Sequence, residues 1–406
     1  MRLTDEEKRT LDGGRGEARR VAMEILAGMG KIFEAGRLVP VRSAHVLASL
    51  LNFHGAGLEV IERLAALGAR YAVPTTVDPV SVSLEGDDIP LPPGLAERQR
   101  RICAAHAAMG VVPSWTCTPY WGGNLPGYGD HVAWSESSAV AFVNSVLGAR
   151  TNRLSTGLEI AASIMGRIPE CGLHLTENRR PRVRFRVEAD PADELDFGAI
   201  GYLVGRLAPG RTPYLVGLPP HATWEQLTSL GAAAASAGGI ALFHAEGVTA
   251  ESRRGAVDLR GLRRAEEHLI DRAAIRRAVA ELTTASRTPD LVALGCPHWS
   301  VRQLSRLAAL LRGRRVRDSV RLWVYTSPYV KRAALEKGVA QAIEASGARI
   351  LTGTCMVISF LRHAGVRVMM TDSVRAARLV PSEHGCEAVL APLAECVSRA
   401  TEAGAG

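Results

Sequence analysis

Three of the seven cysteines lie in segments that could carry metal chemistry. Cys117 lies in SWTCTPYWGG, Cys296 in LGCPHWS and Cys355 in TGTCMVIS. Each follows a run typical of a β-strand, and open α/β sheets place ligand sites at the carboxyl ends of strands. Each also has Pro or hydroxyl neighbours, which favour a tight turn with free backbone amides that can hydrogen-bond sulfur. Together they predict a site for iron or an iron-sulfur cluster, in which three thiolates leave one coordination position open.

Zinc is the competing metal for these thiols. Structural zinc usually takes four ligands in closely spaced pairs such as CxxC, and the sequence has no such pair. An odd and sparse set of cysteines does not fit a disulfide framework, so reduced thiols are expected. The other four cysteines fit buried apolar residues instead; they are Cys103, Cys171, Cys386 and Cys396.

Polar side chains follow four further predicted strands. They are Ser43 and His45, Thr75 and Thr76, Thr326 and Ser327, and Thr371, Asp372 and Ser373. A single Ser or Thr at such a place is most simply a helix N-cap. Their repetition predicts a polar pocket floor, and we expect substrate contacts from Ser43, Thr75, Thr76 and Ser373.

The segment GDHVAWSESS precedes an apolar helix and adds further substrate-binding candidates. Ser137 and Ser138 at the helix N-terminus could cap it, or the amides there could hold a carboxylate or phosphate. Glu136 is equally an ordinary acidic first-turn residue. His131 is expected in the pocket wall, and Asn152 and Arg153 after the helix could clamp a carboxylate.

Short β-rich runs alternate with longer helical runs, which predicts an α/β fold. The predicted strands cover 37–41, 70–74, 110–115, 182–189, 213–218, 239–245, 291–295, 320–326, 349–353 and 366–371. A long charged helix is expected around 256–282. Composition changes near 185 and 285 predict an N-terminal α/β domain over 1–185 with Cys117, a middle domain over 186–285, and a C-terminal domain over 286–406 with Cys296 and Cys355.

Composition fits a soluble, cytoplasmic protein. The chain begins with a predicted capped helix, with Thr4 as N-cap and Glu7 three residues later, rather than a signal peptide, and its apolar stretches are too short to span a membrane. The net charge of +8 comes from scattered Arg and Lys, which favours a small anionic or zwitterionic substrate over nucleic acid. Motifs for dinucleotide, P-loop and serine-hydrolase chemistry are missing from the sequence.

Three segments of the chain resemble signature segments of the aconitase X family, a branch of the aconitase superfamily. They are CTPYWGGNLPGYGDHVAWSESSAVAFVNSVLGARTNR, LGCPHWS and TGTCMVIS, and the similarity runs from LTDEEKRTLDG to TDSVRAARLV. The resemblance implies an aconitase-like, multi-domain fold of α/β/α layers with the active site at strand carboxyl ends. It also implies that Cys117, Cys296 and Cys355 are the ligands of an iron-sulfur cluster or a mononuclear iron.

The resemblance implies a hydro-lyase. Members of the family dehydrate cis-3-hydroxy-L-proline, giving Δ1-pyrroline-2-carboxylate, or mevalonate 5-phosphate. We rank the hydroxyproline first, mevalonate 5-phosphate second and another hydroxy acid of a specialised pathway third. Iron would bind the leaving hydroxyl as a Lewis acid while a base removes a proton from the neighbouring carbon.

No residue of this chain is assigned as that base. In aconitase-type enzymes a serine on a small swivelling domain is implicated, and in two-subunit members that domain is a separate polypeptide. The sequence stops after the third-cysteine region. We therefore expect a large subunit that lacks the swivel domain and needs a small subunit for activity.

Two segments depart from the family pattern beside the expected site, at Leu154 to Gly157 and at Val374 to Arg378. They leave the cysteine assignment intact and keep the substrate open. Two other interpretations also stay open: an iron-sulfur sensor or RNA-binding regulator, and a scaffold subunit whose site has decayed. The three retained cysteines argue against decay, and the scattered basic charge argues against RNA.

Overall fold

The chain folds into parallel β-sheets covered by helices. The computed structural model describes residues 1–53, 55–83, 89 and 93–404, and in these residues three sheets, of three, four and five strands, are parallel throughout. Parallel strands need crossover connections, usually helices, so the predicted α/β class is confirmed. Within the same ranges, no helix is both long and apolar enough to cross a membrane.

Residues 1–185 hold the three-stranded sheet and an antiparallel strand pair. Their elements are α1 (Asp5–Leu11), α2 (Glu17–Ile32), β1 (Leu38–Pro40), β2 (Ala44–Val46), α3 (Gly55–Ala66), β3 (Thr75–Val77), α4 (Pro93–Ala108), β4 (Ala133–Trp134), α5 (Ser137–Phe142), α6 (Leu158–Met165), β5 (Arg167–Pro169) and β6 (Val183–Val187), the last belonging to the next sheet. The parallel sheet has the order β3-β2-β4, and β1 pairs with β5. The predicted capping box of Thr4 and Glu7 opens α1.

Residues 186–285 build most of the four-stranded sheet. Their elements are α7 (Glu194–Leu207), β7 (Pro213–Val216), α8 (Trp224–Gly238), β8 (His244–Ala245), α9 (Ala250–Arg253), β9 (Glu267–Ile270) and α10 (Arg272–Leu282), and the strand order is β8-β7-β6-β9. Helices α7 and α8 pack closely because small residues line their contact: a Cβ on Gly201 would lie 2.1 Å from the Leu230 carbonyl oxygen. The Ala- and Gly-rich patch of α8 is therefore a helix-packing surface.

Residues 286–404 build the five-stranded sheet. Their elements are β10 (Leu291–Trp299), α11 (Val301–Leu310), β11 (Arg314–Val316), β12 (Arg321–Thr326), α12 (Pro328–Glu336), α13 (Val339–Glu344), β13 (Arg349–Thr352), β14 (Val368–Thr371), α14 (Val374–His384), β15 (Glu387–Leu390), α15 (Leu393–Ala400) and β16 (Thr401–Ala403). The strand order is β13-β12-β10-β14-β15, and β11 pairs with β16. The division into domains at 185 and 285 stays a prediction.

Several predicted elements are wrong in position. The runs 70–74 and 110–115 are not strands. In place of the run 70–74, β3 begins at Thr75, just after it, and in the run 110–115 Val112 makes only an isolated bridge with Thr76. The charged helix predicted over 256–282 is instead the strand β9 followed by α10. The strands of the five-stranded sheet are easier to predict, because both of their faces are buried and they are continuous apolar runs in the sequence.

Candidate active site

Cys117 is held against the carboxyl end of β3. The Thr116 N–H donates to the Val77 carbonyl at 3.0 Å, and the Ser114 hydroxyl donates to the same carbonyl at 2.8 Å. Cys117 therefore does not follow a strand of its own, as the sequence predicted, but lies at the end of a neighbouring one. Its sulfur is buried and accepts the His298 N–H at 3.3 Å.

Cys296 and Cys355 come from the five-stranded sheet. Cys296 lies inside β10, where the register with β12 is interrupted between Leu294 and Trp299, rather than beyond the strand. Gly295 permits this irregularity, with a φ of +94° and space for no Cβ against the Tyr325 carbonyl. Cys355 follows β13 by three residues, and its sulfur accepts the Val357 N–H at 3.4 Å.

The loops that carry these cysteines are joined across the molecule. The Val80 N–H, just after β3, donates to the Gly353 carbonyl at 2.8 Å, and Val80 forms a parallel bridge with Thr354. The His298 ring links the loops further, contacting Thr116 Oγ1 at 3.0 Å and the Thr354 carbonyl at 2.8 Å. The three predicted ligand cysteines are thus brought to one place from distant parts of the sequence.

A buried ion pair lies beside the thiols. Arg375 Nη2, in the first turn of α14, is 2.7 Å from Glu136 Oε1, at the N-cap of α5, and both side chains are 11% exposed. Burial acts to raise the pKa of Glu136, but Arg375 and the Ser138 N–H and hydroxyl hold it below its usual value. Glu136 is therefore ionised, and Arg375 keeps its charge.

The charge of Arg375 reaches all three cysteines. Burial acts to lower its pKa, but Glu136 and then Cys296, Cys117 and Cys355 raise it above its usual value. A permanent cation at this point favours thiolate over thiol.

The three thiols differ in acidity. A hydrogen bond from Cys355, and then Arg375, lowers the pKa of Cys296 below its usual value despite burial. The same hydrogen bond, with burial, raises the pKa of Cys355, while burial and Asp78 raise the pKa of Cys117. Cys296 is thus the most acidic of the three.

The three cysteines are of the ligand type that an iron centre requires. Thiolates are the ligands that iron-sulfur clusters use, and amides that hydrogen-bond the sulfur atoms tune such clusters. Among the described residues, no group of three or more His, Cys, Asp or Glu side chains is already arranged as a metal site. The fit therefore rests on the kind of ligand, the shared burial and the cation beside them.

A second buried polar pair is formed by His45, inside β2, and Asp78, which directly follows β3. His45 Nε2 and Asp78 Oδ1 are 3.5 Å apart, and neither atom has a hydrogen-bond partner. His45 Nδ1 contacts Thr76 Oγ1 at 2.9 Å, and Asn124 Nδ2 donates to the same hydroxyl at 2.8 Å. Burial lowers the pKa of His45 to about 4, so the ring is neutral at pH 7.

Three of the predicted substrate-binding residues contact these two buried groups, and a fourth, Ser373, acts on Cys296. The Ser137 and Ser138 hydroxyls donate to Glu136 Oε1 at 3.4 and 3.0 Å, and Ser138 Oγ also accepts from Arg375. Ser373 caps α14 by accepting the Ala376 N–H at 3.1 Å, and it acts to lower the pKa of Cys296. Thr76 contacts the second group, because its hydroxyl lies 2.9 Å from His45 Nδ1.

The other five predicted residues lie elsewhere or serve the fold. Ser43, at the amino end of β2, accepts from the Trp134 indole at 3.3 Å, and Thr75 donates to the Val73 carbonyl at 2.9 Å. His131 stacks on His174, with their Nδ1 atoms 2.8 Å apart. Asn152 and Arg153 line a separate cavity, together with Met29, Phe33 and Leu242. None of these contacts involves the thiols or the ion pair, and the part of these five residues in substrate binding stays a prediction.

Sequence reasoning did not select Arg375, Glu136, His45 and Asp78 as site residues. Arg375 lies in the segment noted as a departure from the family pattern, and Glu136 and His45 lay within segments already singled out. Asp78 gave no signal, because it follows a strand that was predicted several residues too early. Correct placement of β3 would have put Asp78 at a strand end.

Comparisons with known proteins cover nearly the whole chain. Models of the aconitase X first, second and third domains match residues 1–177, 181–280 and 289–402. The phosphomevalonate dehydratase large subunit of Methanothermobacter thermautotrophicus is 41% identical, covering 94% of each chain. The cis-3-hydroxy-L-proline dehydratase of Pseudomonas aeruginosa is 37% identical and covers 98% of this chain and 70% of its own.

A solved structure agrees. The aconitase X holo-form of Thermococcus kodakaraensis superposes with a TM-score of 0.90 at 35% identity, over 98% of this chain and all of the other. Fold and relatives define an α/β hydro-lyase of the aconitase type. The chain belongs to the aconitase X family.

Proposed function

We propose that this chain is the large subunit of a dehydratase that removes water from mevalonate 5-phosphate. The single observation that carries the substrate is the 41% identity with a phosphomevalonate dehydratase large subunit over 94% of both chains. The sequence alone favours cis-3-hydroxyproline, whereas this relative supports the reverse order. Both compounds carry a hydroxyl on the carbon β to a carboxylate, so the bonds that break are of the same kind.

Cys117, Cys296 and Cys355 would hold an iron-sulfur cluster or a single iron. The support is their common burial, the cation of Arg375 beside them and the backbone N–H groups that His298 and Val357 direct at two of the sulfur atoms. Bound iron supplies a Lewis acid for the departing hydroxyl.

Arg375 and Glu136 form the fixed electrostatic frame of the site. Arg375 offsets the charge of the thiolates, and Glu136 fixes the guanidinium, whose Nε atom is buried without a partner and is free to donate to an anionic substrate group. Guanidinium groups bind carboxylates through directed N–H bonds. Ser373, the N-cap of the helix that carries Arg375, would help to keep Cys296 ionised because it acts to lower the pKa of that thiol.

A small cavity lies beside this region. It is lined by Cys296 and Ser373 and also by Trp121, Trp299 and Asp372. The proton acceptor is proposed to lie on a small subunit with a swivelling domain, since the archaeal relative is named a large subunit. That subunit would complete the site.

The second candidate substrate is cis-3-hydroxy-L-proline, which would give Δ1-pyrroline-2-carboxylate. It is supported by the Pseudomonas relative, which matches nearly the whole of this chain. Buried acidic groups near the thiols also suit a ligand with a protonated amine: burial raises the pKa of Asp78, and a cation would favour its ionised form.

The test is an anaerobic assay of the chain co-purified with its small subunit. Mevalonate 5-phosphate and cis-3-hydroxy-L-proline are supplied in parallel, and loss of water is followed by mass spectrometry. Turnover of the phosphate compound at a kcat/KM at least tenfold above that of the hydroxyproline supports the first proposal. The opposite ratio would replace it by the second, and turnover of neither by iron-loaded enzyme would reject both.

A further inference from the structure

The cavity that Asn152 and Arg153 line is apart from the proposed dehydratase site. Its volume is about 350 Å3, and none of the described residues that line it is a thiol of that site or a member of the buried ion pair. Its walls come from both the first and the second family domain, whose models match residues 1–177 and 181–280. Pockets for small molecules begin at about 300 Å3 and occur preferentially where domains meet. The cavity therefore has the size and the place of a ligand site.

The walls of this cavity are mainly apolar. Met29 and Phe33 come from the last turn of α2 and the residue after it, Leu158 from the start of α6, and Leu242 from the segment after α8. Phe33 is 55% exposed although it lines the cavity, so part of the apolar wall is reached from solvent. Leu154, from the first segment that departs from the family pattern, adds to the wall. A hydrocarbon chain that entered would be removed from water.

Arg153 brings a positive charge to this wall. Its guanidinium donates to the Gly239 carbonyl at 3.4 Å and makes no ion pair with any residue that the structure describes. Arg211 also lines the cavity, but its charge is already offset by Glu266 at 2.7 Å. A guanidinium has five N–H bonds, and it binds carboxylates and phosphates through two of them at once. Arg153 therefore has N–H groups left for an anion.

Two glycines leave space for the polar side chains of the cavity. Gly239 has a φ of +70°, and a Cβ there would lie 2.6 Å from Arg153 Nη1. Gly172 has a φ of +55°, and a Cβ there would lie 2.2 Å from Asn152 Oδ1. That oxygen accepts the Leu173 N–H at 2.7 Å, which fixes Asn152. The backbone around the cavity thus gives room to a guanidinium next to a fixed neighbour.

We propose that this cavity binds a small amphipathic anion, with its apolar chain against the leucines and Phe33 and its carboxylate or phosphate on Arg153. Carboxylate and phosphate share this chemistry, because a guanidinium binds both through paired N–H groups. The inference goes beyond the proposed dehydration and does not depend on it. Binding here needs neither iron nor turnover.

The candidate substrates do not fit this cavity. Mevalonate 5-phosphate and cis-3-hydroxy-L-proline each carry a carboxylate, a hydroxyl and a further charged group on a short carbon skeleton. A mainly apolar wall would take some of these groups out of water without giving them partners, which is unfavourable. The ligand of the cavity is therefore of a different class from the substrate.

The first test is calorimetry on the full chain co-purified with its small subunit. The probes are octanoate, octyl phosphate, hexanoate and octan-1-ol. We expect one molecule of octanoate or octyl phosphate per chain. Hexanoate should bind about tenfold more weakly than octanoate because two CH2 groups are lost, and octan-1-ol about tenfold more weakly because the charge is lost.

Matched variants then test where the probes bind. Arg153→Gln should weaken octanoate and octyl phosphate by about tenfold and leave octan-1-ol unchanged, while Arg153→Lys should keep part of the affinity because it keeps the charge. Leu158→Trp fills the cavity and should abolish binding of all four probes. The control is Arg315→Gln, whose side chain is 70% exposed and away from the cavity, and it should match the wild type.

The affinities decide between the possible outcomes. Tighter binding of octyl phosphate than of octanoate identifies phosphate as the head group, and the reverse order identifies carboxylate. Equal binding of octanoate and octan-1-ol, or unchanged binding of octanoate in Arg153→Gln, would overturn the inference, and so would binding that survives in a folded Leu158→Trp. Arg153→Gln decides the matter if Leu158→Trp does not fold. A complex that binds octanoate but turns over neither candidate substrate would count against the dehydration alone.

Discussion

Two regions of the molecule make opposite use of their polar residues. Near the thiols, buried polar atoms lack partners, among them His45 Nε2, Asp78 Oδ1, Thr354 Oγ1 and Arg375 Nε. In the second region, a cavity of about 350 Å3 is lined by Asn152 and Arg153 among mainly apolar side chains.

In that cavity the polar groups are already satisfied by the protein. Asn152 Oδ1 accepts the Leu173 N–H at 2.7 Å and Asn152 Nδ2 donates to the Cys171 carbonyl at 3.0 Å. Arg153 donates to the Gly239 carbonyl at 3.4 Å. The two regions thus differ in their polar groups: those at the cavity are paired within the protein, whereas several near the thiols are buried and unpaired, and it is there that we place the proposed chemistry.

The largest difference in activity is expected between variants that remove one cysteine from each region. Cys296→Ala should lower kcat/KM by about 10³-fold and abolish iron binding, because a Lewis acid contributes several kcal/mol to the transition state. Cys171→Ala, at the cavity, should leave both within twofold. Iron assay and steady-state kinetics check this, and equal loss in the two variants would erase the distinction between the regions.

Replacing an arginine in each of the two regions should change the free energy of unfolding by different amounts. Arg375→Gln leaves Glu136 as a buried charge without its partner and should lower the free energy of unfolding by about 3–5 kcal/mol. Arg153→Gln, which is exposed, should change it by less than about 0.5 kcal/mol. Urea denaturation of the two variants gives the values. A loss below about 1 kcal/mol in Arg375→Gln would mean that water reaches the ion pair.

Glu159 lies on α6 between the regions and should give a pH-dependent stability. Burial raises its pKa from 4.5 to about 8, so between these values the folded state holds a proton that the unfolded state has lost. Stability from this group is therefore full below about pH 4.5 and falls as pH rises to 8, by about 1.4 kcal/mol per unit. Glu159→Gln should remove about 2–3 kcal/mol of the decline between pH 5 and 7, as measured by denaturation at both pH values; a slope equal to that of the wild type would place the titrating group elsewhere.

The smallest effect is expected at Asn152. Asn152→Ala removes two hydrogen bonds within the protein and should lower the free energy of unfolding by about 1–2 kcal/mol, while kcat and KM stay within twofold. Thermal unfolding and the dehydratase assay check the two parts. A change of more than twofold in the KM for mevalonate 5-phosphate in Asn152→Ala would indicate that the substrate binds at the cavity instead.

The α/β class could be predicted from alternation of strand and helix patterns, and the five-stranded sheet was predicted best. Its strands are buried on both faces and read as long apolar runs, as in VRLWVYT and VRVMMT. The strands of the first sheet are only two or three residues long, too short to give a period. Errors there displaced Thr75 and Asp78 relative to their strand ends.

The thiols could be chosen from sequence because cysteine is rare and each stood beside a turn. The ion pair of Glu136 and Arg375 could not, since its partners lie in different parts of the chain and each has an ordinary local explanation. Glu136 is a helix N-cap, and Arg375 reads as one more arginine on a surface helix. Only the packing of α5 against the start of α14 shows that the two are buried together.

The joining of the loops after β3 and β13 has a consequence for how the protein is made. Cys117 leaves the ribosome long before Cys296 and Cys355, and the backbone bond of Val80 to Gly353 can form only when the last sheet is folded. Until then only one of the three proposed ligand cysteines is in place. A metal centre held by all three would therefore assemble only at the end of synthesis, after the sheets have come together.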